Sequence, residues 1–147
     1  MTEVAFHFNV PQTLPYVCRL LRKAVNTGAR VQVVGDAAVL AALDRDLWTF
    51  APLEFVSHCM ASAPASMLAA SAVVLTESAV NPKLHQWPRQ VLLNLGEGVP
   101  EGYDGFQRLI EVVSHDAADR LSARNRWKWY AHAGLNLIRH DIAGATA

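Results

Sequence analysis

The sequence predicts an α/β fold: a single domain with a mostly parallel sheet flanked by helices. Two short runs, Ala72–Leu75 and Val91–Leu95, are continuously apolar, which is typical of strands buried on both faces of a parallel sheet. Segments with helical periodicity alternate with such runs, as in α/β proteins. The 147 residues, 52% of them hydrophobic, fit one domain spanning residues 1–147 that folds without disulfides or metal.

The first elements follow from apolar spacing and turn residues. Val4–Phe8 is apolar-rich and predicts a strand. A helix follows, with Thr13 as its expected N-cap and Gly28 as its stop. The β-branched run Val31–Val34 predicts the second strand. Asp36 is then placed to cap a second helix whose apolar residues recur at helical spacing.

The remaining elements are less regular. Phe55–Val56 is a candidate short strand, and Pro and Gly concentrate between Asn94 and Gly105, which indicates one long loop. Leu109–Val113 fits either a helical face or a strand. The last strong element is a helix from about Ala117 to Ala133, which Gly134 ends.

Composition argues against several classes of protein. Thirteen Lys and Arg balance thirteen Asp and Glu, so a surface that binds nucleic acid through a general basic excess is not expected. Cys18 and Cys59 cannot form a disulfide framework and indicate a reducing compartment. No apolar run approaches the ~18–20 residues of a membrane span, and the N-terminus lacks the basic region of a signal peptide. We therefore expect a cytoplasmic protein without membrane contact.

The motifs of nucleotide and metal chemistry are missing from the sequence. Gly-Lys-Ser and Gly-Lys-Thr do not occur, and the two predicted strand-to-helix junctions lack the glycines of a dinucleotide site. The histidines do not have the spacing of metal ligands. In Ser57-His58-Cys59, neighbouring side chains of an extended segment point to opposite faces, which favours a buried thiol over a nucleophile. We expect no active site, no cofactor and no metal.

A run of cations and aromatic rings near the C-terminus is the first candidate interaction surface. Guanidinium groups bind carboxylates in a bidentate fork, and an indole supplies apolar contact. A ligand carrying carboxylates beside an apolar anchor would suit this run. The alternative is the solvated face of an amphipathic helix whose indole packs into the core. On a helix, one stripe holds Arg120, Arg124, Trp127 and Lys128.

Aromatic residues around the end of the second predicted helix form the second candidate surface. Trp48, Phe50 and Phe55 crowd this helix end and the following turn. If they are exposed together, they mark a protein-binding patch. The alternative is that they cover the edge of the sheet as core.

Several segments, taken in order, spacing and total length, are similar to a known family. They are Phe6-His7-Phe8, Leu43-Asp44-x-x-Leu47-Trp48, Phe55-Val56-x-His58, Leu93-Asn94-Leu95, Ala123-Arg124-x-Arg126-Trp127-x-x-Tyr130 and Gly134-x-x-Leu137. Along its full length the chain resembles the chi subunit of bacterial DNA polymerase III, an accessory member of the clamp-loader assembly. Ser57 is a departure, since the family usually has proline there.

The resemblance implies a nucleotide-binding-like topology without a phosphate-binding loop, and a non-catalytic adaptor in DNA replication. Such an adaptor bridges the clamp loader, through the psi subunit, to the acidic C-terminal tail of the single-strand DNA-binding protein, which ends in phenylalanine. Its contact with the clamp loader and with DNA is indirect.

The resemblance also implies the residues of two sites. Arg124 and Lys128 would bind carboxylates of the tail, and Trp127, where the family usually has tyrosine, would help to form the pocket for the terminal ring. The full set for the tail is Arg120, Arg124, Trp127, Lys128, Gly134 and Leu135. The set for the psi subunit is Trp48 and Phe55, with Phe50 and Pro52 at the rim.

Two other functions remain as alternatives. A direct single-stranded DNA-binding module would use the helix from Arg120 to Lys128 with Trp127 and Trp129, and its affinity for oligonucleotide would fall steeply with salt. An enzyme on a nucleotide-binding-like fold would be stabilised against heat by a nucleotide.

Overall fold

The computed structural model describes residues 2–49 and 56–145. The strands described form one sheet in the spatial order β3-β4-β2-β5-β6-β1-β7. Every neighbouring pair is parallel, which confirms the predicted α/β class. In chain order the strands are β1 (Glu3–Val10), β2 (Val31–Val34), β3 (His58–Met60), β4 (Val73–Thr76), β5 (Val91–Asn94), β6 (Arg108–Ser114) and β7 (Asn136–Asp141).

Helices cover both faces of this sheet. Leu21 of the first helix and Leu40 of the second pack in one core cluster with Val33 of β2. On the opposite face, Tyr130 of the fourth helix packs in a second cluster with Phe6 of β1. The helices are α1 (Thr13–Asn26), α2 (Ala37–Thr49), α3 (Ala65–Ala70), α4 (Ala117–His132) and the one-turn α5 (Ile142–Ala145), and 3₁₀ turns lie at Pro82–Leu84 and Tyr103–Gly105.

Strand β1 shows how alternation along a strand separates the two faces. Phe6 belongs to the core cluster beneath α4, whereas His7 hydrogen-bonds Tyr16 of α1 on the other side. Successive side chains of a strand point to opposite faces, so β1 contributes to both. Because β1 lies between β6 and β7, its Phe6 face forms the floor beneath α4.

The structure decides several predicted boundaries. Helix α1 begins at Thr13 with Gln12 in the cap position and no side-chain cap, so the predicted Thr13 cap was wrong. The Asp36 cap is confirmed, since its Oδ1 accepts a hydrogen bond from the Val39 N–H at 2.9 Å. Leu109–Val113 lies within β6, so the strand interpretation was correct and the helical one wrong.

The ends of the chain and of the third strand differ from expectation. The candidate strand Phe55–Val56 is wrong at Val56, because β3 begins at His58, and Phe55 lies outside the described residues. The helix predicted from Ala117 is confirmed as α4. Strand β7, which follows it, was not predicted. None of the helices in residues 2–49 and 56–145 is long and apolar enough to cross a membrane.

Candidate functional site

A cavity of about 310 Å³ lies between α4 and the sheet edge formed by β6, β1 and β7. Its floor comes from the sheet and is apolar, whereas its rim carries three guanidinium groups. Within the described part of the chain, no carboxylate lines it. The lining residues are Phe6, Phe8 and Val113 from the floor, Arg120, Ala123, Arg124 and Trp127 from α4, and Arg139 from β7.

Helical spacing explains why α4 brings its cations to this cavity. Arg120 and Arg124 are four positions apart and therefore follow one another on one helix face. Both are exposed, so their guanidinium groups are accessible to a ligand. Ala123 lies on the buried side of the same helix, where its small side chain lets α4 approach the strands closely.

Trp127 is half-buried and takes part in both the core and the cavity. Its ring centroid lies 5.0 Å from that of Phe6, with the planes inclined at 64°, which is a favourable edge-to-face geometry for aromatic pairs. The ring packs against the second core cluster and also lines the cavity. The indole therefore packs in part against the core, as the alternative interpretation expected, and it also contributes to the wall of the cavity.

The other three residues predicted for the tail site lie beside the cavity rather than in it. Lys128 is exposed on α4 but does not line the cavity. Gly134 ends the helix with φ +81°, a backbone conformation that glycine adopts without strain. Leu135 packs against the same core cluster as Trp127. The structure thus brings together Arg120, Arg124 and Trp127.

Arg126 belongs to the same basic run, but it is buried and bonded to other residues of the protein. It is 4% exposed, and its Nε donates to Glu111 Oε1 at 3.0 Å while a terminal nitrogen donates to the Glu97 carbonyl at 2.8 Å. Glu111 is buried in β6 and also accepts from Tyr130 Oη at 2.6 Å and from the Asn94 amide. We call these four side chains, Asn94, Glu111, Arg126 and Tyr130, the buried network.

Opposing effects act on the charge of the buried network. Burial raises the pKa of Glu111, and the Arg126 guanidinium and the hydrogen bonds from Tyr130 and Asn94 oppose that shift. Burial and the Glu111 carboxylate together raise the pKa of Tyr130, which therefore keeps its proton and donates it. A buried carboxylate with all its partners is stable in place, but it becomes costly when one partner is removed.

The two neighbouring indoles of α4 lie on different sides of the helix. Trp129 is 50% exposed, contacts the Tyr103 ring at 5.6 Å and lines a separate cavity with Val99 and Leu121. Trp127 instead faces β1. The two rings therefore do not form one stacking platform for successive bases, which weighs against the single-stranded DNA alternative.

The second candidate surface is described only at Trp48, because Phe50, Pro52 and Phe55 lie outside the described residues. The Trp48 side chain is 58% exposed, and its ring centroid lies 4.9 Å from that of the buried His58. The Nε2 of His58 is 3.0 Å from Asp44 Oδ1, and its Nδ1 is 2.7 Å from the Val56 carbonyl. Trp48 is therefore surface-exposed and held against a fixed imidazole.

The Ser57-His58-Cys59 segment agrees with the structural interpretation of the sequence. Cys59 is buried, and its sulfur accepts a hydrogen bond from Ser71 Oγ at 3.2 Å. His58 bonds to Asp44 rather than to either neighbour. Across residues 2–49 and 56–145, no group of three or more His, Cys, Asp or Glu side chains could hold a metal ion.

Arg139 is the charged cavity residue that sequence reasoning missed, because β7 was not predicted. A signal exists in hindsight: Leu137 and Arg139 are two positions apart, so on a strand both face the same side. Leu137 packs in the cluster beneath α4, and the register pairs Arg139 with Phe6 of β1. This places Arg139 at the rim of the cavity.

Fold and site together define a class: an α/β protein whose sequence lacks phosphate-binding glycines and whose edge cavity combines cations with aromatic rings. The family described as DNA polymerase III chi subunit, HolC, matches residues 1–138. The DNA polymerase III subunit chi of Pseudomonas aeruginosa is 32% identical over 148 aligned positions, covering 97% of this chain and 98% of that protein. The protein of the same name from Haemophilus influenzae is 26% identical over 126 positions, covering 85% and 84%.

The chain therefore belongs to the DNA polymerase III chi subunit family. This membership gives it an accessory role in a replicative DNA polymerase, and it agrees with the family likeness seen in the sequence.

Proposed function

We propose that the protein is a non-catalytic adaptor of the polymerase III holoenzyme, acting in the cytoplasm during DNA replication. One site binds the acidic C-terminal tail of the single-strand DNA-binding protein, and a second site binds the psi subunit, through which the protein reaches the clamp loader. Contact with DNA is indirect.

The composition of the α4 cavity is the observation that carries the tail site. Arg120 and Arg124 offer exposed guanidinium groups beside an apolar floor, and carboxylates pair with guanidinium in short, charge-assisted hydrogen bonds. A terminal phenyl ring fits the floor, since Trp127 and Phe6 present aromatic edges and faces there. Lys128, next to the cavity, adds charge that speeds the encounter with an acidic peptide.

The psi site is proposed at the end of α2. Trp48 is exposed there and lies against His58, which Asp44 holds in place. Tryptophan is among the residues most enriched at the energetic centres of protein interfaces. The proposed site consists of Trp48, Phe50, Pro52 and Phe55.

The physical consequence is a tether whose strength depends on the number of tails. One short peptide in one cavity of about 310 Å³ gives a modest single-site affinity. A coated strand presents several tails, which raises the effective concentration at the cavity without any new contact. The polymerase assembly would thus stay near its template while individual tails exchange.

Titration of the protein with a synthetic acidic peptide ending in phenylalanine tests the tail site. Arg124→Met should weaken binding by about tenfold or more, because a hydrogen bond to a charged group contributes about 1.5–3 kcal/mol. Arg19→Met is the matched control: it removes the same charge from an exposed position on α1, on the other face of the sheet, and should leave the affinity unchanged. Equal affinities for wild type and Arg124→Met would contradict the assignment.

A pull-down from cell extract separates the two sites. Adding the same peptide in excess should release the single-strand DNA-binding protein and leave the psi subunit bound. Release of both partners would mean that they share one surface. Salt-sensitive binding of bare oligonucleotide that the peptide displaces would favour the DNA-binding alternative, because both ligands would then use the helix from Arg120 to Lys128.

A further inference from the structure

The last strand carries a cation that faces the floor of the cavity. Arg139 lies on β7, at the edge of the sheet, paired with Phe6 of β1. Its guanidinium carbon is 5.0 Å from the centroid of the Phe8 ring and 6.0 Å from that of Trp127. Both distances are within the range of cation–π attraction, so two rings hold this guanidinium at the rim.

The cavity therefore receives cations from two different elements. Arg120 and Arg124 come from α4, and Arg139 comes from β7. The two helix cations are four residues apart, a rise of about 6 Å along the helix axis, which suits side-chain carboxylates spaced along a peptide. The strand cation differs, because it is positioned over the rings that would receive an aromatic side chain.

Covalent geometry keeps the terminal carboxylate of the tail peptide close to its last phenyl ring. In a peptide that ends in phenylalanine, the terminal carboxylate and the phenyl-bearing carbon share one Cα, so a ring on the floor carries its carboxylate within a few bond lengths. We infer that Arg139 binds the terminal carboxylate of the tail, whereas Arg120 and Arg124 bind acidic side chains that precede it. This inference rests on the proposed function and makes Arg139 the residue that distinguishes a chain end from an internal phenylalanine.

A cycle of protein and peptide variants tests this pairing. The free-acid peptide and its C-terminal amide are titrated against wild type, Arg139→Met and Arg124→Met. Amidation should weaken binding to wild type by about tenfold and to Arg139→Met by less than about twofold. Arg124→Met should bind both peptides more weakly, yet keep the full difference between them. Arg139→Lys should retain part of that difference, since the charge remains without the planar fork.

Two results would overturn the inference, and only the second would also overturn the proposed function. If Arg139→Met remains as sensitive to amidation as wild type, the terminal carboxylate is bound elsewhere, and a loss of that sensitivity in Arg124→Met would identify the other site. If wild type does not bind the free-acid peptide, the proposed function and the inference fail together. Arg139 is an exposed side chain on an edge strand, and a melting curve checks that the variants fold.

Discussion

Two regions of α4 use the same residue type for opposite purposes. Arg124 is exposed at the cavity rim, whereas Arg126 is 4% exposed and bonded to Glu111. Two positions on a helix correspond to a rotation of about 200°, which takes one guanidinium to the cavity and the other into the core. Adjacent charges in a basic run therefore cannot be treated as one patch, and the angle between them decides which can meet a partner.

The two regions also differ in what removal of a charge costs. At the rim, the guanidinium group of Arg124 is exposed, so its removal leaves only exposed surface behind. In the buried network, the carboxylate of Glu111 remains in the interior when its cation is removed. Loss of a charge at the rim should therefore change the affinity for the tail peptide. Loss of a charge in the buried network should change the free energy of unfolding.

The largest effect expected from this contrast is on Arg126. Arg126→Met leaves Glu111 buried without its cation, a change that typically costs about 3–5 kcal/mol of unfolding free energy. Urea denaturation measures this loss directly. Arg124→Met is the matched control two positions away, and it should change the unfolding free energy by less than about 0.5 kcal/mol. Similar losses in the two variants would remove the distinction between rim and network.

A pH series tests the face of β1 that points away from the cavity. Burial, then the charges of His140 and Arg108, lower the pKa of His7 to about 4. The unfolded chain binds a proton at this histidine near pH 6.5 and the folded chain only near pH 4, so between these values the unfolded state binds more protons. Stability is therefore present above pH 6.5 and is lost as the pH falls towards 4, with a slope of at most about 1.4 kcal/mol per pH unit.

His7→Gln should flatten this part of the pH profile, as measured by denaturation midpoints between pH 4 and 7. His115→Gln, at an exposed position, should leave the slope unchanged. Parallel profiles for wild type and His7→Gln would contradict the assignment to His7.

The smallest effect is expected at Trp127. Trp127→Tyr keeps an aromatic ring against Phe6. We expect the affinity for the tail peptide to change by less than about threefold, or roughly 0.7 kcal/mol. A tenfold loss measured in the same titration would mean that the larger indole surface is specifically required.

The class of fold was predictable because buried parallel strands leave continuous apolar runs. The predicted runs Ala72–Leu75 and Val91–Leu95 had that signature, and they overlap β4 and β5. Strand β7 had none: it lies at the edge, and all six of its residues are exposed or partly exposed, so burial imposes no apolar run on it. Glu111 interrupts the apolar run of β6, so the sequence of this segment fitted either a helix or a strand. The side chains that bind this carboxylate come from other elements, and the local sequence does not show them.

The residues of the candidate site were predictable only where the helix or strand that carries them was predicted. Arg120, Arg124 and Trp127 share one helix, so spacing alone brings them together at the cavity. Lys128 has the same helical spacing, but the cavity lies on the side of α4 that faces β1 and β7, and Lys128 does not line it. Arg139 required knowledge of which strand lies beside β1, which is long-range information that no local pattern contains.

The sheet order has a spatial consequence for the two proposed sites. His58, beneath Trp48, lies on β3 at one edge, and Arg139 lies on β7 at the other. With adjacent strands about 4.8 Å apart, the two edges are separated by roughly 30 Å. Partners bound at these two edges would therefore not compete for one surface, and both could be held by one chain at the same time.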